Sequence, residues 1–125
     1  LHEFKVYVSN QPGELARVTE ALAGSAVNIR AISSEAGASE PFLRIVTNDV
    51  ATTKKALRVA GFTYEKNGIL SVQLLDRPGE LAKVAKRLAR AQVNVESIYI
   101  LGSKGGKKEI AMVVDDEKKA LKALK

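Results

Sequence analysis

The segment Pro12-Gly13-Glu14-Leu15-Ala16 recurs 66 residues later as Pro78-Gly79-Glu80-Leu81-Ala82. The same offset carries Val18 onto Val84, Leu22-Ala23 onto Leu88-Ala89, Val27-Asn28 onto Val93-Asn94 and Ile32 onto Ile98. Eleven of the twenty-four positions from Asn10 to Ser33 are identical in the second copy. Chance does not produce that, so the 125 residues are two copies of one small unit. The join falls at Asn67-Gly68, which gives units 1–66 and 67–125.

Each unit reads alike. Phe4, Val6 and Val8 alternate with Lys5 and Tyr7, as Leu70, Val72 and Leu74 alternate with Ser71 and Gln73. Period two marks a strand with one buried face. After Pro-Gly, Leu15, Val18 and Leu22, and their copies Leu81, Val84 and Leu88, form the stripe of an amphipathic helix. The β-branched runs 27–34 and 93–101 predict second strands, and 42–47 and 109–115 predict third strands. Asp49, and Asp115 or Asp116, supply N-caps for helices over 51–60 and 117–124. A fourth strand is expected over 62–66 and has no counterpart in the second copy. The order β-α-β-β-α-β is the split βαβ arrangement, an α+β class with both helices on one face of an antiparallel sheet.

Composition narrows the chemistry. There is no cysteine, and the single histidine is His2. That excludes thiolate metal sites, disulfides, a cysteine nucleophile and a histidine-based triad. No paired acid and base or nucleophile constellation stands out, so no catalytic residue, metal site or cofactor is assigned. The net charge is +6, of which residues 67–125 carry twelve Lys/Arg against seven Asp/Glu. Lys83, Lys86, Arg87 and Arg90 line the helix face opposite the apolar stripe; the plain reading is a solvated face. Nucleic-acid binding on this topology needs stacking aromatics on the middle strands, and only Tyr7, Phe42 and Tyr99 are candidates. The glycine- and lysine-rich run 102–108 misses the phosphate-loop spacing and precedes a strand, so it reads as a hairpin turn. No apolar stretch spans a membrane and no signal peptide is visible, so a cytoplasmic location is the default expectation.

The strand-to-helix corners carry the functional signal. Proline suits the first helical position, which would make Gln11 and Arg77 poor N-caps and leave first-turn amides uncapped. Gly13 and Gly79 remove a Cβ where a ligand could approach the backbone. Free amides at a positive helix end suit a carboxylate or phosphate. Alternatively, Pro-Gly merely turns the chain and Glu14 or Glu80 reaches back as half of a capping box. Asp76 stands where the first copy has Asn10 and offers a carboxylate to the ammonium of a zwitterion. Asn28 and Asn94 open the second strands, either as turn residues or as amides that both donate and accept.

Asp76-Arg77-Pro78-Gly79-Glu80-Leu81-Ala82, with Val93-Asn94-Val95-Glu96-Ser97-Ile98 after it, resembles the ACT domain. Asn10-Gln11-Pro12-Gly13-Glu14-Leu15-Ala16 with Val27-Asn28-Ile29 resembles it almost as closely. The resemblance implies a ferredoxin-like fold in both repeats and a regulatory module that binds amino acids where two such domains pair. Position by position, it implies a ligand loop over Asn10, Gln11, Gly13, Glu14 and Leu15, and over Asp76, Arg77, Gly79, Glu80 and Leu81. Asn28 and Asn94 would each face the loop of a neighbouring domain. The first copy departs from the family at Asn10-Gln11, so its ligand binding need not equal that of the second.

The expected function is therefore a tandem, non-catalytic amino-acid sensor or regulatory subunit, with a metabolic enzyme as a possible partner. The alternatives are a ligand-free interaction module and, more weakly, a basic nucleic-acid binder. Ile98, Ile100, Ala111 and Val113 put apolar side chains on both sheet faces, which points to a homodimer or larger assembly. The missing fourth strand leaves 69–75 with a bare edge. The dipeptide Asn67-Gly68 is a hairpin signal, so 62–66 is expected to pair antiparallel with 69–75 while also flanking 4–9.

Overall fold

The computed structural model describes residues 1–125, and its chain divides between Gly68 and Ile69 into two units. Unit 1 runs β1 (His2–Tyr7), α1 (Glu14–Gly24), β2 (Ile29–Glu35), β3 (Phe42–Thr47), α2 (Val50–Val59) and β4 (Tyr64–Gly68). Unit 2 runs β5 (Leu70–Leu75), α3 (Glu80–Arg90), β6 (Val95–Lys104), β7 (Lys107–Val114) and α4 (Glu117–Ala123). The sheets are ordered β2-β3-β1-β4 and β5-β7-β6, and every neighbouring pair is antiparallel. Each is the α+β, ferredoxin-like arrangement, and unit 2 lacks the fourth strand.

Period-two alternation sets the cores. Phe4 and Val6 lie opposite Ile45 and Leu43, and all four are buried against Val18, Leu22 and Leu57 of the helices. In unit 2, Leu70 lies opposite Met112 and packs with Ile110, Val84, Leu88 and Ala120. The helical stripes are shorter than their spacing suggests, because Leu15 and Leu81 stay exposed at 55% and 40%. Register places Ile98 and Ile100 beside the core residues Met112 and Ile110, and sends Tyr99, Ala111 and Val113 to the opposite face. Both faces of that sheet therefore carry apolar side chains.

The expected β4–β5 hairpin does not form. β4 pairs only with β1, and β5 only with β7. Asn67 and Gly68 remain in β4, opposite Glu3 and His2. A two-residue hairpin of that kind requires positive φ at both positions, and neither residue has it. Asn67 Nδ2 instead donates to Glu3 Oε1 at 3.0 Å, which holds the strand to its last residue. The flanking of β1 by this segment does occur, from Tyr64 onward.

Candidate functional site

The two strand-to-helix corners are built on the same turn. Glu14 N–H donates to Gln11 O at 3.4 Å, and Glu80 N–H to Arg77 O at 3.5 Å. Gly13 has φ 91° and ψ −11°, and Gly79 has 87° and −13°. Proline followed by a left-handed glycine is the type II β-turn. This moves the helix starts. Pro12 and Pro78 occupy the turn rather than the first helical position, and Gly13 and Gly79, not Gln11 and Arg77, are the N-caps. A positive φ cannot continue into a right-handed helix, so the helices begin at Glu14 and Glu80. A Cβ on either glycine would meet nothing within 4 Å, so dihedral freedom rather than close approach explains these glycines.

No side chain caps either helix. Beyond the turn, the amides of Leu15 and Ala16, and of Leu81 and Ala82, point outward at the positive helix end without an acceptor in the chain. The two glutamates do reach back, but to different groups. Glu14 accepts from the Ser9 amide at 2.9 Å and from Arg17 Nε at 2.8 Å. Glu80 accepts from Arg77 Nε at 2.7 Å and lies 3.4 Å from Lys83 Nζ. The Arg17 bond, followed by the Ser9 amide, holds the Glu14 carboxyl below its ordinary value; the Arg77 bond is the main cause of the same shift at Glu80.

The corners differ most in what faces them. In unit 2 the Asp76 amide donates to Gly106 O at 2.8 Å, and Asp76 Oδ1 lies 3.1 Å from Lys108 Nζ. Lys108 stands on β7 opposite Leu74, and the β6–β7 turn at Gly105-Gly106 has positive φ at both residues. The expected hairpin turn thus delivers an acceptor and a cation to the corner. Asp76, Arg77, Gly79, Glu80, Leu81 and Lys108 line an open cavity of about 440 Å³. In unit 1, Pro41 and Phe42 take the facing position, and Asn10, Gln11, Glu14 and Leu15 border a recess of about 120 Å³. Only the unit 2 cavity lies within the range typical of small-molecule sites, roughly 300–1,000 Å³.

Asn28 and Asn94 are exposed and sit at the other end of their own sheets. Asn28 adjoins Ile29, opposite Thr47, whereas the unit 1 corner follows Tyr7, opposite Phe42. A strand of that length separates them by roughly 17–20 Å, so neither asparagine joins the corner of its own unit. Asn94 N–H donates to Asp115 Oδ1 at 2.9 Å. The unusual φ falls on Ala26 and Gln92 instead, at 57° and 58°, so it is not what requires asparagine. Lys108 escapes sequence reading altogether, since only the β5–β7 register brings it to Asp76. A larger cavity, about 650 Å³, lies elsewhere, between α1 and α2, with Ala21, Gly24, Ala56 and Val59 in its wall beside Glu20, Thr52 and Lys55.

Residues 68–125 match the ACT domain family. Unit 2 is an ACT domain. Unit 1 repeats the same element order and corner motif, so the molecule is a tandem of ACT-type units. Among solved structures, a Bacteroides thetaiotaomicron protein is similar with a TM-score of 0.87 and 24% identity, over 98% of this chain and 85% of its own. The ligand-free regulatory subunit of aspartate kinase from Thermus thermophilus gives 0.68 and 18%, over 98% and 88%. That from Thermus flavus gives 0.60 and 21%, over 98% and 88%. These likenesses establish the fold. No curated protein sequence matches the chain. No helix is long and apolar enough to cross a membrane.

Proposed function

We propose that this ACT tandem is a non-catalytic sensor that binds a free α-amino acid at the unit 2 corner. One observation carries the reading: Leu81, whose first-turn amide has no acceptor in the chain, lines the cavity that also holds Asp76 and Lys108. The ligand carboxylate takes the amides, where the helix end favours negative charge. Its ammonium takes Asp76, displacing Lys108 from the pair. Asn94 reaches a ligand only from a neighbouring domain, which is how assembly enters the mechanism. The unit 1 corner, with Asn10 and no facing cation, binds more weakly or serves as an interface. The regulated partner is an enzyme of amino-acid metabolism, in a cytoplasmic setting.

Differential scanning fluorimetry of the chain with each common amino acid tests this. A true ligand at a hundredfold excess over its Kd adds about 2.7 kcal/mol of stability. Asp76→Ala abolishes that shift while leaving the fold intact, because Asp76 is exposed. If no amino acid raises Tm at millimolar levels, the chain is a ligand-free interaction module instead. If Asp76→Ala responds as the parent does, the site lies elsewhere.

A further inference from the structure

We propose that Lys108 makes the unit 2 corner selective for an amino acid whose side chain carries a second carboxylate. The inference rests on the reading of that corner as an amino-acid site, and it names the class of amino acid taken there. It starts from a difference between the repeats. Leu74 lies opposite Lys108, and Asp76, two residues on, meets Lys108 Nζ at 3.1 Å. In unit 1 the counterpart of Leu74 is Val8, whose N–H donates to Pro41 O, and the counterpart of Asp76 is Asn10. One repeat therefore has both the acid and the cation, and the other has neither. The Asp76 N–H bond to Gly106 O already holds the β6–β7 turn against the corner, so the ion pair is not needed to place it.

The charges around the cavity decide what it admits. Its wall holds Asp76, Arg77, Glu80 and Lys108. Arg77 Nε donates to Glu80 Oε1 at 2.7 Å, and Lys83 Nζ lies 3.4 Å from Glu80 Oε2, so both oxygens of Glu80 are engaged. Asp76 and Lys108 answer each other. A ligand ammonium that takes Asp76 removes the carboxylate with which Lys108 is paired. The Lys108 side chain is only 31% exposed, so water makes good that loss in part. A neutral amino acid thus leaves a cation uncompensated in the wall, and a basic one adds another positive charge beside it.

An acidic amino acid supplies the missing carboxylate. Its ammonium meets Asp76, its α-carboxylate the positive end of α3, and its side-chain carboxylate Lys108. Leu74, Leu75 and Pro78 close the rest of the wall with apolar groups. Lys108 is therefore the cation that a ligand side chain meets without breaking the pair of Arg77 and Glu80.

Isothermal titration calorimetry with L-glutamate, L-aspartate, L-glutamine, L-asparagine and L-lysine reads the selectivity. One of the acids is expected to bind roughly tenfold or more tighter than its own amide, which matches it in shape and lacks the charge. Lysine is expected to bind weakest. Lys108→Met keeps the stem and removes the charge. It is expected to weaken the acid and to tighten the amide, because the ligand ammonium no longer competes with Lys108 for Asp76. A merely structural role for Lys108 would weaken both alike. Lys108→Glu is expected to invert the order and favour lysine, with circular dichroism showing both variants folded. A parent chain that binds the amides as tightly as the acids overturns the selectivity and leaves the amino-acid reading standing, and so does Lys108→Met that still prefers the acid. A parent chain that binds none of the five overturns both.

Discussion

Glu14 and Glu80 hold the same place in the repeat yet answer to different arginines, Arg17 four-square within α1 and Arg77 in the turn before α3. Each arginine pulls its carboxyl below the ordinary value. A carboxyl lowered on folding adds stability above its unfolded pKa and loses it as pH falls through the folded one. Arg17→Ala is therefore expected to raise the Glu14 pKa toward the ordinary carboxylate value and to flatten the acid limb of the stability curve, as read by NMR titration. Arg77→Ala is expected to act the same way on Glu80 and to leave Glu14 alone. The turn glycines give a second residue-scale test. With φ near +90° and open space around the missing Cβ, Gly79→Ala costs backbone strain alone, about 1–2 kcal/mol in urea melts. Gly79→Asn, better tolerated in the left-handed region, is expected to cost less.

Helices and strands were largely legible from period alone, and their ends were not. Phe4 and Val6 announce β1, and Val18 with Leu22 announce α1, because burial repeats at two or near 3.6 residues. The start of α1 escapes that reading, since a dihedral at Gly13 sets it rather than a stripe. Leu15 belongs to the stripe by spacing yet stands exposed, because the helix begins only one residue before it. Pairing escapes as well. Asn67-Gly68 has hairpin chemistry, and the contest between a turn and the bond to Glu3 is decided by a residue 64 positions away. The choice between Asp115 and Asp116 as cap is likewise tertiary: Asp115 accepts from Asn94 N–H, and Asp116 from Lys119 N–H. α4 has only seven residues, so its cap weighs heavily. Asp116→Ala is expected to cost about 1 kcal/mol by chemical denaturation.

For the whole molecule, charge invites a nucleic-acid reading that the aromatic rings argue against. Phe42, on a middle strand, has Lys5 Nζ 4.3 Å and Arg44 Cζ 4.8 Å from its ring centre, so cations already occupy the surface on which a base would stack. Fluorescence anisotropy with single-stranded oligonucleotides at physiological salt is expected to show no binding; a salt-sensitive shift would reverse that. The fate of Asn67 bears on the molecule's lifetime. An asparagine followed by glycine ages by cyclisation, in which the glycine nitrogen attacks the side-chain carbon and ammonia departs. In β4 that attack is disfavoured, because Asn67 is extended and its amide is held by Glu3. Once formed, an aspartate there would set a second carboxylate against a buried one. Each opening of unit 1 therefore exposes one residue to irreversible chemistry that discourages reclosing. A one-dalton gain confined to Asn67, slow in the folded chain and rapid in urea, would make this dipeptide a chemical clock of how often unit 1 opens.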